Sequence, residues 1–240
     1  MNSVTFRNVE ELSYAANESL NTLCTNLTFA GDEYKKIMFT SCHAGDGKSF
    51  TSLNVVKTLV GMGKRVVLVD CDLRKSMLAR NNLILGEGPG LGSSHYLAGM
   101  ASIEDVLYST NIRNLFVVPC SKTVTNSLPL VSSPRLPKLL NALSSRVDYV
   151  IVDSPPVGML IDAAYIAGNC DGTVLVIRYN SISRREVFEA KEQIEQSGCP
   201  VLGAVINQAD FSDFVGRKYY YNKYYNNYYD DDPSRRSQSS

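Results

Sequence analysis

The chain contains 240 residues, of which 44% are hydrophobic and 20% are charged. This composition is typical of a globular protein and excludes a chain that is disordered throughout. The length suffices for one large α/β domain. Lysine plus arginine and aspartate plus glutamate both number 24, so the formal net charge is +0. That balance argues against nucleic acid as a partner, because phosphate contacts require a basic excess.

The sequence predicts a cytoplasmic protein. It has no apolar run approaching the roughly 18 residues of a membrane span, and its first residues lack the apolar core of a signal peptide. The six cysteines are scattered without a CxxC spacing, mostly within apolar runs. Cysteines in this pattern indicate buried thiols of a reducing compartment and not a disulfide or zinc framework.

The first predicted element is an amphipathic helix at residues 9–29. Its apolar face comprises Leu12, Ala16, Leu20, Leu23 and Leu27. We therefore assign residues 1–30 to an N-terminal helix, which packs either on the following domain or on a neighbouring subunit.

Short β-branched runs alternate with helical patterns through residues 31–215, the predicted central domain. The predicted strands are Lys36–Ser41, Arg65–Asp70, Leu115–Cys120, Tyr149–Asp153, Thr173–Arg178 and Val201–Asn207. Most are almost continuously apolar, as strands covered on both faces must be. Helical patterns such as Ser49–Met62 and Arg184–Ser197 separate them. The alternation predicts an α/β fold with a doubly wound, mainly parallel sheet, which binds ligands beyond the carboxyl ends of its strands.

The first of these strands runs into a glycine-rich loop that opens a helix, which is the context of a Walker A phosphate loop. Gly45 and Gly47 let backbone N–H groups surround phosphate oxygens. We expect Lys48 to reach the β and γ phosphates and Ser49 to place its hydroxyl on Mg²⁺. Cys42 stands where such loops usually have their first glycine, and an ordinary glycine-rich turn is the alternative interpretation. The residues expected to surround the nucleotide are Ala44, Gly45, Asp46, Gly47, Lys48, Ser49 and Phe50.

Two later strands end in acidic residues, which are costly to bury unless they are paired or bind a cation. Asp153 fits the Walker B role of holding a metal-bound water. Asp70 is suited to accept the proton of an attacking hydroxyl, and Asp72 to join the outer shell of the metal. The predicted Mg²⁺ site comprises Ser49, Asp72 and Asp153. Helix capping is the alternative for Asp72 and for Asp162.

The remaining segment, residues 216–240, is predicted to be a mobile tail. From Arg217 onward it contains no aliphatic residue, so it cannot bury enough surface to offset its ordering entropy. Half of the 14 tyrosines of the chain lie here. They are Tyr219, Tyr220, Tyr221, Tyr224, Tyr225, Tyr228 and Tyr229. A low-complexity segment without function is the alternative interpretation.

Taken together, these motifs resemble the bacterial tyrosine kinases of capsule and exopolysaccharide operons. The resemblance is strongest to the Gram-positive type, in which the membrane activator is a separate chain. It rests on the loop TSCHAGDGKSFTSLN, the strand VVLVDCDLR, the segment YVIVDSPPVGMLIDAAYIA and the tyrosine tail, and it covers almost the whole chain. It implies a P-loop NTPase fold similar to that of the Min/Par ATPases, with ATP and Mg²⁺ as cofactors.

The resemblance also implies an activity and partners. It implies an ATP-dependent protein-tyrosine kinase that autophosphorylates its C-terminal tyrosines in trans and regulates polysaccharide synthesis and export. The catalytic residues would be Lys48, Asp70, Asp72 and Asp153. Asn207 matches a position that contacts adenine, and Arg178 a basic position near the nucleotide. The implied partners are a second copy, a cognate tyrosine phosphatase and the cytoplasmic tail of a membrane activator (a polysaccharide co-polymerase), which would recruit the kinase to the inner face of the membrane.

Some residues depart from this resemblance. Glu18 is present on the N-terminal helix, but Asn21 and Cys24 stand where many of these kinases have ring-forming arginines, so the oligomeric state is left open. A Min/Par-type ATPase switch is one rival function, although those proteins carry a signature lysine at the position of His43. A non-catalytic, nucleotide-bound regulator of a polysaccharide export complex is another.

Overall fold

We describe the fold from a computed structural model, which describes residues 2–6, 12–77, 83–85, 90–158 and 161–209. The chain divides into two units, residues 1–207 and residues 208–240, and every element below belongs to the first. The predicted tail and its seven tyrosines lie outside the described residues. The domain boundaries proposed from the sequence stay predictions.

Within the described residues the strands form one nine-stranded sheet. They are β1 (Asn2–Phe6), β2 (Lys36–Ser41), β3 (Val66–Asp70), β4 (Leu83–Leu85), β5 (Tyr108–Thr110), β6 (Leu115–Val118), β7 (Tyr149–Asp153), β8 (Gly172–Arg178) and β9 (Val201–Asn207). Their order across the sheet is β4-β1-β5-β6-β3-β7-β2-β8-β9. All neighbours pair in parallel except β1 with β4 and β5 with β6.

Helices connect these strands and cover both faces of the sheet. They are α1 (Tyr14–Phe29), α2 (Lys48–Gly61), α3 (Ser93–Leu97), α4 (Ile103–Val106), α5 (Leu128–Val131), α6 (Arg135–Ser144), α7 (Ile161–Ala167) and α8 (Arg184–Glu195). Helices α1 and α2 pack on one face, and α3 to α8 contribute side chains to the core on the other. None of the helices in the described parts of the chain combines the length and the apolar composition that crossing a membrane requires.

The strand β3 shows why helices must cover both faces of the sheet. Its residues are all buried, and successive side chains point to opposite faces. Val67 and Val69 join the core beneath α6, whereas Val66 and Leu68 join the core beneath α2. The doubly wound, mainly parallel sheet predicted from the sequence is confirmed.

The N-terminal helix packs on its own unit. It begins at Tyr14, where the Ser13 side chain accepts a hydrogen bond from the Ala16 N–H at 3.3 Å, and the predicted residues before 12 lie outside the described part. Cys24 and Leu27 are buried against α2, and the Cys24 Sγ lies 3.7 Å from the Val55 carbonyl oxygen. The sequence had left open whether this helix packs on the following domain or on a neighbouring subunit, and in the structure it packs on the domain.

The structure adds three strands that the sequence did not reveal, namely β1, β4 and β5. Each has three to five residues, which is too short for a periodic pattern to stand out. All three lie together toward one edge of the sheet, where the only antiparallel pairs of the described residues occur. The other edge is β9, the last predicted strand.

We expect Ile151→Ala to lower the free energy of unfolding by about 2–5 kcal/mol. Ile151 is fully buried in β7 at the centre of the sheet, so the truncation leaves a cavity among rigid strands. Urea unfolding of the nucleotide-free protein measures the change. Ile161→Ala is the matched control, because Ile161 is 56% exposed and its truncation should change stability by less than about 0.5 kcal/mol. Equal losses in the two variants would contradict this placement of the core.

Candidate active site

The predicted site residues meet at the carboxyl edge of the sheet because the strands that carry them are neighbours. Strand β7 lies between β3 and β2. Asp70 at the end of β3 pairs in register with Asp153 at the end of β7. The glycine-rich loop leaves β2 on the other side of β7 and leads directly into α2. Parallel pairing alone therefore places two acids beside a phosphate loop.

The glycine-rich loop has the backbone conformation that its glycines permit. Gly45 and Gly47 have φ angles of +92° and +94°, which other residues rarely adopt. The Asp46 carboxylate accepts a hydrogen bond from the His43 N–H at 2.9 Å, and the Asp46 carbonyl accepts one from the Asn207 side-chain amide at 2.9 Å. A Cβ atom at Gly47 would lie 1.9 Å from that amide nitrogen. The loop is thus closed by Asp46 from within and by Asn207 from β9.

Lys48 is the buried cation of the site. Its ammonium lies 3.0 Å from Asp72 Oδ2 and 3.7 Å from Asp153 Oδ1, and its side chain is 9% exposed. Burial alone would lower the pKa of Lys48, but the carboxylates of Asp153 and Asp72 outweigh this effect and leave the pKa raised. The Ser49 hydroxyl donates to Asp153 Oδ2 at 2.6 Å. Lys48 and Ser49, adjacent in the chain, therefore face the two acid-bearing strands.

Asp70 lies deepest, and both of its carboxylate oxygens accept hydrogen bonds. Oδ1 receives the Asp72 N–H at 3.1 Å, and Oδ2 receives the Ser76 hydroxyl. The Ser93 hydroxyl donates to the backbone carbonyl of Asp70 at 2.7 Å. Burial, together with repulsion from Asp153, raises the pKa of Asp70 to about 8. This carboxyl therefore exchanges its proton near neutral pH.

The charges of the site do not balance within the described residues. Asp70, Asp72 and Asp153 are all buried and share one ammonium, that of Lys48. Asp153 Oδ1 has no hydrogen-bond partner among the described residues. This carboxylate oxygen lies near a second carboxylate and a serine hydroxyl. Oxygen atoms of these groups are the ligands that Mg²⁺ prefers. The residues present therefore fit the predicted metal, which would be held by Ser49, Asp153 and, in its outer shell, Asp72.

The other predicted residues lie around this centre. Arg178 ends β8 and pairs with Asn207 of β9, so both are at the same edge of the sheet, and the Arg178 side chain is exposed. Phe50 is 42% exposed on the first turn of α2. Burial, reinforced by Asp46 and Glu186, raises the pKa of the Cys42 thiol to about 11, so the residue in place of the first glycine stays neutral.

Sequence reasoning missed the residues that hold the acids in place. Ser76 and Ser93 hydrogen-bond to Asp70, and Arg74 forms an ion pair with Asp162. Arg74 stands in the motif VLVDCDLR, which was a signal that it matters, but spacing alone does not reveal its partner. The two serines carry no local signal, because each reaches Asp70 only through the folded turns around β3.

Comparisons with known proteins agree with this geometry. A family model described as an AAA domain matches residues 34–189. Tyrosine-protein kinase CpsD of Streptococcus agalactiae is 38% identical over 195 residues, which cover 81% of this chain and 84% of that protein. The solved kinase domain of the Escherichia coli tyrosine kinase ETK is 28% identical with a TM-score of 0.74, covering 81% of this chain and 78% of that one. The cell division ATPase MinD of Pyrococcus furiosus is 26% identical with a TM-score of 0.62, covering 75% and 74%.

We expect Asp70→Asn to flatten the dependence of stability on pH in the protein freed of nucleotide and metal. The folded protein keeps the Asp70 proton up to about pH 8, whereas the unfolded chain releases it at about pH 4. The folded state thus binds one extra proton in this window, so the contribution of Asp70 to stability is lost as pH rises. In urea unfolding from pH 5 to pH 8, the free energy of unfolding of the variant should rise relative to that of wild type by at most about 1.4 kcal/mol per pH unit. Parallel stability curves for the two proteins would show that Asp70 is already ionised when folded.

Proposed function

The chain belongs to the family of bacterial tyrosine-protein kinases and is an enzyme of that class, and from this premise we propose that it transfers the γ-phosphoryl group of ATP to tyrosines of its own tail. The observation that carries the proposal is the buried cluster in which Lys48 and Ser49 of the phosphate loop contact Asp72 and Asp153. A phosphate loop and two strand-end acids that meet at one point are the parts that phosphoryl transfer needs.

The phosphate loop is proposed to hold the nucleotide. Its glycines turn N–H groups toward the phosphates, and the 14-residue helix α2 adds its positive N-terminal end. Lys48, the first residue of α2, is within reach of both the loop and the acids. Asn207, whose amide already contacts the loop, and Arg178 beside it are proposed to contact the nucleoside.

Bound Mg²⁺ would neutralise charge on the transferred phosphoryl group. The chain supplies the rest of the electrostatic environment. Lys48 brings a positive charge to oxygens on which negative charge develops, in a site from which water is largely excluded. Ser49 and Asp153 are proposed to hold the metal, and Asp72 to stand in its outer shell.

Asp70 is proposed to be the general base. A tyrosine hydroxyl has a reference pKa of about 10, so it must lose its proton as it attacks. With a pKa raised to about 8, near the operating range, the ionised Asp70 carboxylate is more basic than an ordinary carboxylate. Asp72, which lies 3.0 Å from the Lys48 ammonium, is assigned to the outer shell of the metal instead.

The proposed acceptors are the seven tail tyrosines Tyr219, Tyr220, Tyr221, Tyr224, Tyr225, Tyr228 and Tyr229, phosphorylated in trans by a second copy. We further propose that the kinase is cytoplasmic and that the cytoplasmic tail of a membrane activator recruits it to the inner face of the membrane. There it would regulate capsule or exopolysaccharide synthesis and export, and a cognate tyrosine phosphatase would reset the tail. These steps rest on the family resemblance.

The rival functions have less support. MinD shares the fold at a lower TM-score than the kinase domain of ETK. His43 stands at the position of the Min/Par signature lysine, and its Nε2 lies 3.6 Å from Glu186 of the same chain. A non-catalytic regulator would bind nucleotide through the same loop without forming phosphotyrosine. Formation of phosphotyrosine therefore distinguishes a kinase from such a regulator.

We expect Lys48→Met to reduce phosphotyrosine formation by at least about 100-fold, because the variant loses the positive charge at the transferred group. The protein is incubated with ATP, Mg²⁺ and its membrane activator, and labelling is followed with an anti-phosphotyrosine antibody. Lys57→Met, on the same helix, is the matched control and should label like wild type. Thermal melting of both variants verifies folding. Equal labelling of Lys48→Met and wild type would remove the proposed mechanism.

Mixing two variants tests transfer between copies. One has all seven tail tyrosines changed to Phe and keeps its active site, and the other is Lys48→Met with an intact tail. Because the first has a catalytic site without acceptors and the second has acceptors without a catalytic site, we expect label on the Lys48→Met chain alone. Mass spectrometry after tryptic digestion assigns the label. An unlabelled mixture, with wild type labelled in parallel, would indicate transfer within one copy.

A further inference from the structure

Arg74 joins three segments of the chain at the carboxyl edge of the sheet. Its Nε donates to Asp162 Oδ2 at 3.0 Å and to the Ser127 hydroxyl at 2.8 Å, and its Nη1 donates to the Thr125 carbonyl at 3.1 Å. The Ser127 hydroxyl in turn donates to Asp162 Oδ2. Arg74 follows β3, Thr125 and Ser127 follow β6, and Asp162 lies on α7 after β7.

This contact differs from a surface ion pair in its burial. The Asp162 side chain is 2% exposed and that of Arg74 is 32% exposed. Within the described residues, Arg74 is the one cation within 4.0 Å of Asp162, and Asp162 Oδ1 has no hydrogen-bond partner there. Removing the guanidinium would leave a buried carboxylate without a counter-charge, which is strongly unfavourable.

The same guanidinium is fixed to the turn that carries two of the proposed catalytic acids. This turn, residues 70–76, is defined here as the acid turn. From within, the Lys75 N–H binds Asp72 Oδ1 at 3.0 Å and the Ser76 hydroxyl binds Asp70. From outside, the Leu73 carbonyl accepts the Val124 N–H at 2.8 Å, beside the Arg74 contacts.

The direction of the side chain decides what Arg74 can do. Nε and Nη1 are committed to Asp162, Ser127 and the Thr125 carbonyl. These groups lie on α7 and on the segment after β6, whereas the phosphate loop accepts a hydrogen bond from Asn207. An arginine held in this way fixes backbone positions and does not clamp a phosphate.

We propose that Arg74 is a positioning residue, which sets the distance between Asp72 and the Lys48–Asp153 pair by pinning the acid turn to Asp162. The proposal rests on the proposed function for its kinetic consequence. Arg74 acts through Asp72, so its loss should weaken the response to Mg²⁺ and slow the chemical step. Nucleotide affinity should change little, because the phosphate loop makes none of the Arg74 contacts.

The test compares Arg74→Met with the double variant Arg74→Met/Asp162→Asn. The single variant leaves Asp162 as an unpaired buried charge, whereas the double variant removes both charges. We expect the single variant to lose both melting temperature and kcat. The double variant should recover melting temperature but keep a kcat at least about tenfold below wild type, with a several-fold higher Mg²⁺ requirement and a KM for ATP within about threefold. Arg135→Met, which removes an arginine packed on Tyr96, is the control for loss of an arginine as such.

A double variant with wild-type kcat and wild-type Mg²⁺ dependence would overturn the proposal and leave Arg74 a purely stabilising residue. If Arg74→Met fails to fold, Arg74→Lys decides in its place. Lysine keeps the positive charge but cannot donate to Asp162, Ser127 and Thr125 at the same time, as the guanidinium does. We therefore expect kcat to fall while the melting temperature stays close to that of wild type. An unchanged kcat overturns the proposal.

A second readout does not depend on kinase activity. Binding of a fluorescent ATP analogue is titrated with Mg²⁺ for wild type and for the double variant. We expect the Mg²⁺ midpoint to rise several-fold in the variant, and an unchanged midpoint counts against the proposal. Absence of phosphotyrosine in wild type would instead refute the proposed function, while this titration would still decide the role of Arg74.

Discussion

One buried ammonium faces three buried carboxylates at the carboxyl edge of the sheet, and the candidate site depends on this imbalance. Lys48 lies 3.0 Å from Asp72 and 3.7 Å from Asp153, while Asp70 is held just behind them. Charges buried without full compensation are costly. They persist where the surrounding structure holds them, and they leave a site that takes up protons or cations. Burial, together with repulsion from Asp153, raises the pKa of Asp70 to about 8, so one of these acids takes up a proton near neutral pH.

The sheet is what holds these charges in place. Strands β3, β7 and β2 are neighbours, are covered on both faces and end at the same edge. Their interior is rigid, because side chains from two helical layers interdigitate with them. The acids therefore sit on the ends of fixed elements, and only the connecting turns need further support. Hydroxyl groups of Ser76 and Ser93 and the guanidinium of Arg74 supply that support.

Sequence patterns predicted the part of this arrangement that is local. The strands β2, β7 and β9 begin and end where their apolar runs do, and the phosphate loop is recognisable from Gly45, Gly47 and Lys48 because they stand between a predicted strand and a predicted helix. The short strands β1, β4 and β5 were missed, because they acquire their structure from pairing at the sheet edge and not from their own periodicity. The contact of Arg74 with Asp162 spans 88 residues, and no spacing rule relates two such positions. The loop contact of Asn207 was likewise invisible, since the sequence suggested only that it lies near a nucleotide.

The position of Lys48 also explains why the phosphate loop and the acids must act together. The loop is a local structure that closes through Asp46 and the helix α2, whereas the acids come from two other strands. Lys48 belongs to the phosphate loop and contacts the acid Asp72. An ammonium drawn toward phosphate oxygens is drawn away from Asp72 and Asp153, which then lack positive charge in a buried setting. A nucleotide that arrives with a divalent cation restores that charge, whereas a nucleotide alone does not. Binding of the two ligands is therefore expected to be coupled, and because such coupling is reciprocal, the metal must favour the nucleotide by the same factor.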